Sequence, residues 1–158
     1  MGIIFIKIIK RINSIIKVMI WKMLYLKQFK VGKKVVFYPG CHIVIDKGKV
    51  DIGNNCFFNH SCSINSLEKI IIGDDCIFGE NVKLYDHNHN YKNNGLIRKQ
   101  GYNKKTIRIG KNCWIGSNVI ILPGVTIGDN VVIGANTIVS KDIHNNQVIV
   151  NENKYKEL

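Results

Sequence analysis

Asp86, His87, Asn88 and His89 follow one another directly after Leu84 and Tyr85. An imidazole of ordinary pKa, about 6.5, is largely neutral at pH 7 and can take a proton from a hydroxyl; a neighbouring carboxylate such as Asp86, or equally a backbone carbonyl, can orient its ring. The same residues also suit an exposed loop of Asx turns, so their types alone assign nothing. Their setting carries more weight. The stretch YDHNHNYKNNGLIRKQGYNKKT is polar, Asn-rich and without period, which predicts an extended loop over about 86–107. Long excursions from a compact repeat are usually functional, because their backbone must be satisfied outside the regular ladder.

The elements that must hold this loop announce themselves as a repeat. Ile109, Ile115, Ile121, Ile127, Ile133 and Val139 recur every six residues, and a second column stands two places before each later member: Cys113, Val119, Val125, Val131 and Thr137. The same register runs through Ile52, Phe58 and Ile64 and, after a slip of two residues, Ile72, Phe78 and Leu84. A period of six is neither helical nor a simple alternation, and fits short strands joined by tight corners. Glycine follows four of the later isoleucines, at Gly110, Gly116, Gly128 and Gly134, and is expected to supply corner backbone angles that other residues enter only at a cost. Three such hexads close a triangular coil, and stacked coils bury a column that none buries alone.

Composition narrows the function classes. The formal charge is +12, but nine of the 23 Lys and Arg lie in residues 1–34, where there is no Asp or Glu, and the rest of the chain is nearly balanced. That points to a local anionic partner rather than to nucleic acid, for which no motif spacing is present. Five cysteines without CxxC spacing argue against a disulfide framework and a zinc site and for a reducing, cytoplasmic setting. Four of them fall in the small inward column and read as core. A γ-type carbonic anhydrase, which shares such coils, needs an HxxxxH pair that this sequence lacks.

The segments FFNHS, YDHNHNY and CWIGSNVIILPGVTIGDNVVIGANTIVSKDI resemble the hexapeptide-repeat acyltransferases, in particular the maltose, galactoside and xenobiotic O-acetyltransferase group and its polysaccharide-modifying branch. The likeness spans roughly residues 50–143. It implies an all-β, left-handed parallel β-helix and a homotrimer with active sites between neighbouring subunits. It also implies acetyl-CoA as donor, a saccharide hydroxyl as acceptor, and no metal. The family's general base lands on His87 and its acceptor-contacting asparagine on Asn59, with His60 and His89 as further acceptor-binding candidates by position. The CoA-binding positions land on Trp114, Ser117, Ala135 and Lys141, with Gly116 and Gly134 leaving room for close backbone approach. Instead of the family's GxPAK-like ending, the chain closes with QVIVNENKYKEL. Sugar-nucleotide N-acetyltransferases and serine acetyltransferases share fold and donor and remain alternatives, as does a catalytically silent scaffold.

The sequence predicts three regions: a basic amphipathic helix over 1–28, the acyltransferase domain over 29–150 and a tail over 151–158. A helix over 3–26 would gather Lys7, Lys10, Arg11, Ser14, Lys17 and Lys22 on one face and leave Ile, Phe, Met and Trp21 on the rest. Such a helix can lie peripherally on the inner membrane surface, or it can cap the open end of the coil. Its uncharged stretches are too short for a membrane span, and no signal-peptide cleavage site is evident.

Overall fold

A computed structural model of the chain describes residues 2–150; the predicted tail at 151–158 lies outside the described residues. Helix α1 (Gly2–Tyr25) is followed by a 3-10 turn, Leu26–Gln28, and then by short strands wound into about five turns of a left-handed parallel β-helix. The first face stacks Phe29–Val31, Val50–Ile52, Ile70–Ile72, Ile107–Ile109 and Thr126–Ile127; the second runs from Val36–Phe37 to Val148–Ile149; the third stacks His42–Ile45, Ser63–Ser66, Lys83–Tyr85, Ile120–Ile121 and Ile138–Val139. Every pairing within these faces is parallel and in register, as Ile52 with Ile72 and Phe58 with Phe78.

The six-residue columns are the core. Phe37, Phe58 and Phe78 stack nearly parallel on the second face at 4.5 and 4.4 Å, and Ile64, Leu84 and Ile121 line the third. All five cysteines are buried and unpaired, Cys41 included, one coil before the register visible in sequence begins. Hydrogen bonding to the Cys113 and Cys56 thiols, together with burial, pushes the Cys76 thiol far up, as bonding to Cys41 and burial do for Cys62. The Cys76 thiol conversely draws Cys113 down to about 7, and it is burial in the inward columns that makes all five packing residues rather than nucleophiles.

The corner glycines have a different role from the one expected. Gly110, Gly116, Gly128 and Gly134 are not at positive φ; that conformation falls two residues later, on Asn112, Asn118, Asn130 and Asn136. Asparagine tolerates the left-handed region, and its side chains build amide ladders between coils, Asn112 to Asn130 at 2.9 Å and Asn130 to Asn146 at 3.0 Å. The glycines are needed because the next coil lies against them: a Cβ on Gly110 would sit 2.6 Å from the Gly128 carbonyl carbon.

Helix α1 closes the first coil. Trp21 packs edge-on against Phe37 (5.0 Å) and Phe29 (6.1 Å), at the end of the aromatic stack. Its neighbours satisfy first-coil backbone groups that have no coil beneath them. Phe37 N–H donates to Ser14 Oγ at 2.8 Å, Tyr25 Oη donates to the Ile43 carbonyl at 3.0 Å, and Lys17 Nζ to the Cys41 carbonyl at 3.2 Å. The expected division of the helix is thus corrected. Ser14 and Trp21 form the buried stripe, Lys10 and Lys17 lie beside it half-buried, and the isoleucines from Ile4 to Ile20, with Met19 and Met23, are exposed.

Candidate active site

The third face ends its third coil at Tyr85, and the chain leaves the solenoid at Asp86. The excursion is more regular than its sequence suggested. His87–His89 pairs antiparallel with Tyr102–Lys104, and Lys105 N–H donates to the Asp86 carbonyl to close the base. At the tip, Gln100 donates to the Asn93 carbonyl and accepts from Asn93 N–H. The hairpin escaped a reading by hydrophobic period because none of its strand residues is buried, so no apolar alternation marks it.

Asp86 is fully buried (0 % exposed). Its carboxylate accepts from Ser66 Oγ (2.7 Å), Leu67 N–H (2.8 Å) and Glu68 N–H (2.9 Å). Those donors line the corner created by the two-residue slip between Ile64 and Ile72, so the break in the repeat builds a cradle for one carboxylate. The remaining partner is His87, whose Nδ1 lies 3.0 Å from Asp86 Oδ1. A carboxylate only accepts, so Nδ1 carries a proton, and in the neutral ring that leaves Nε2 as the acceptor. The His87 ring is half-buried, with Tyr102 edge-on at 5.4 Å, while His89 is exposed and tilted on the same tyrosine at 4.6 Å. Tyr102 is a site residue that sequence reasoning missed; only the hairpin register, His89 opposite Tyr102, brings it there.

A second group runs along the corner between the second and third faces. Asn59 Oδ1 accepts from His60 N–H and faces His60 Nδ1, both at 2.9 Å. Asn59 Nδ2 and Ser117 Oγ both donate to the Glu80 carboxylate, which ties three successive coils together. The Ser117 hydroxyl above all, then Glu80's own N–H, hold the Glu80 carboxyl below the usual glutamate range. Glu80 too was missed, although it occupies the position between Asn59 and Ser117 on a corner that the period locates. Gly116, Ser117, Gly134 and Ala135 continue this edge. Gly116 is glycine for the coil's sake, since a Cβ there would lie 2.6 Å from Ala135 N, and its own N–H donates to the Ile133 carbonyl at 2.7 Å. Trp114 stands on the adjoining second face, 56 % exposed, in register with Ile77 and Val132.

Within one chain these groups do not meet. Asn59, His60, Gly116, Ser117, Gly134 and Ala135 line one edge of the third face; Asp86, His87 and His89 leave from the opposite edge, where Lys141 also lies, two coils on. Among the described residues no cluster of His, Cys, Asp and Glu is placed to hold a metal ion.

The comparisons agree with this architecture. Residues 106–141 match the family model described as bacterial transferase hexapeptide (six repeats). No curated protein matches the chain by sequence. Among solved structures, a maltose O-acetyltransferase from Clostridium difficile 630 is 37 % identical, with a TM-score of 0.69 over 82 % of this chain and 69 % of that one. A galactoside acetyltransferase in complex with coenzyme A is 32 % identical, with a TM-score of 0.71 over 90 % and 76 %. A hexapeptide-repeat acetyltransferase from Vibrio cholerae, complexed with acetyl coenzyme A, is 27 % identical, with a TM-score of 0.68 over 82 % and 70 %. With the repeat, the coil and two relatives above 30 % identity in agreement, the chain belongs to the hexapeptide-repeat acyltransferases, among the maltose and galactoside acetyltransferases.

Proposed function

We propose that this acyltransferase moves an acetyl group from acetyl-CoA to a saccharide hydroxyl, that of a cell-surface polysaccharide or its precursor, in the cytoplasm, with His87 as general base. The observation that carries the reading is the Asp86–His87 pair: a buried, fully hydrogen-bonded carboxylate fixes the tautomer that leaves Nε2 as an acceptor. His87 Nε2 takes the acceptor's hydroxyl proton as that oxygen bonds to the thioester carbonyl carbon. The C–S bond then breaks, and the proton passes to the departing CoA sulfur. No acyl-enzyme is needed, and a placed base of this kind is worth about 10² to 10⁴ in rate.

The rest of the machinery comes from the other edge of the third face. Since the Gly116 N–H is engaged within the coil, Ser117 N–H is the better donor for the developing oxyanion. Trp114 flanks the CoA arm, Gly134 and Ala135 continue its groove, and Lys141 meets a phosphate. Asn59, His60 and His89 face the acceptor. A homotrimer brings the His87 edge of one subunit against the Ser117 edge of its neighbour, which accounts for the separation of the two groups within one chain.

The test is acetyl-CoA consumption against saccharides, sugar nucleotides and serine, with His87→Asn alongside. Transfer to a saccharide that falls about 10² to 10⁴-fold in the variant, with CoA binding retained, supports the reading. Undiminished turnover in His87→Asn refutes the base assignment, and acceptance only of amines or of serine refutes the acceptor class.

A further inference from the structure

The outward side of α1 has no partner in the fold, although the helix itself is firmly seated. Phe5, Ile9, Ile12, Ile16, Met19 and Met23 recur at alternating spacings of four and three, which keeps them on one side of a 3.6-residue helix, opposite the Ser14–Trp21 stripe that packs on the coil. Phe5 and Met19 are each 65 % exposed and Met23 71 %, and further exposed isoleucines widen the stripe. Because Trp21, Tyr25, Ser14 and Lys17 hold the other side to the first coil, this apolar surface is a rigid platform closing one end of the solenoid.

Its charge identifies the occupant. Arg11 and Lys22 border the stripe on one side, and Lys10 and Lys17 on the other. Lys10 lies 4.5 Å over the Tyr38 ring, and Lys17 bonds the Cys41 carbonyl. Lys27, Lys30, Lys33 and Lys34 belong to the same first turn, and residues 1–34 contain no acidic side chain. Pairing of this face with its copy on another subunit would therefore set cation against cation with nothing to neutralise them, whereas an anionic bilayer supplies both an apolar interior and the missing negative charge. No helix among the described residues is long and apolar enough to cross a membrane, so contact with a bilayer would place the helix along its surface rather than through it.

We infer that the outer face of α1 docks the enzyme on an anionic lipid bilayer, the apolar stripe entering the acyl boundary and the flanking cations meeting the headgroups. The experiment is co-flotation of the full chain with vesicles of phosphatidylcholine alone or mixed with phosphatidylglycerol, with the thermal midpoint and sedimentation mass measured alongside. The unaltered chain should bind mixed vesicles at least about ten-fold better than neutral ones, and less at high salt. Ile12→Glu/Met19→Glu should lose about ten-fold or more of that binding, and Arg11→Glu/Lys22→Glu should erase the preference for the anionic vesicles, both with the thermal midpoint and CoA binding unchanged. Failure of the unaltered chain to float with anionic vesicles, or equal binding by Ile12→Glu/Met19→Glu, overturns the inference. So does a loss of sedimentation mass in that variant when the unaltered chain ignores lipid, since the stripe would then be a contact between subunits.

Discussion

Asp86 receives four donors, and its side chain has no exposed surface on which to rearrange. Asparagine at this position keeps the shape and replaces one accepting oxygen by an NH₂ group, which must then meet either the Glu68 or the Leu67 backbone N–H as donor against donor. Asp86→Asn should therefore lower stability by about 3 kcal/mol, the scale of losing charge-assisted bonds and leaving buried groups unmatched. It should also lower kcat by about 10² or more, because the amide either turns its NH₂ to Nδ1 and reverses the tautomer or holds that proton without a charge. A melt together with steady-state kinetics separates the two roles. A lower midpoint with unchanged kcat would make Asp86 a structural residue alone, while a fall in kcat at constant KM for acetyl-CoA marks it as positioning the base. The sequence showed this pair as neighbours and the slip after Ile64 as a break. That the slip creates the amides at Leu67 and Glu68 which hold the carboxylate required three dimensions, because those groups are separated from Asp86 by a full coil. Tyr102 was hidden for a similar reason: its contact with both imidazoles depends on a hairpin register that no apolar pattern encodes.

Helix α1 shows what happens when pattern and packing diverge. A reading by charge grouped the lysines with Ser14 and set Trp21 among the isoleucines, because amphipathicity alone supposes one dry side and one wet side. The helix has two apolar sides instead, a narrow one closed by Trp21 on the phenylalanine stack and a broad exposed one. Trp21→Ala should cost about 3 to 5 kcal/mol, since it opens a cavity at the end of that stack, whereas Met19→Ser should fall within about 0.5 kcal/mol because its side chain is exposed. Denaturant titration of the two variants measures the contrast, and equal losses would mean that the outer face is buried in solution. At the corner between the second and third faces, Glu80 gives a pH test. Its carboxyl lies below the ordinary range when folded, with the Ser117 hydroxyl as the largest cause. Its contribution to stability is therefore fully present above the unfolded glutamate pKa and is lost as pH falls through the lowered folded value. Glu80→Gln should flatten that acid limb by losing at neutral pH the same contribution that the unaltered chain loses in acid, a small one because the carboxylate is exposed and its interactions are screened by solvent and salt. Midpoints of both chains from neutral to acidic pH decide it, and parallel acid limbs would count against the linkage.

At the scale of the whole molecule, the period located the coils because each inward position is dictated by the same stacked environment, and so the fold was legible almost completely from Ile52 to Val139. The active site was legible only in parts, since the two edges that carry it are brought together, on the proposed reading, by a neighbouring subunit and not by the chain itself. That arrangement predicts complementation. His87→Ala should be inactive through loss of the base, and Asn59→Ala/Trp114→Ala nearly so through loss of acceptor and CoA contacts on the other edge. When the two are co-expressed and assemble at random, a site formed by the His87 edge of the second variant and the Asn59–Trp114 edge of the first is intact. Such sites make up roughly a quarter of the total in a closed head-to-tail ring at equal amounts, so activity should return to about that fraction of the unaltered enzyme, with a sedimentation mass of three chains. If each chain instead built its own site, no mixture of these variants could exceed the sum of their separate activities, and the division of labour between the two edges would have to be abandoned.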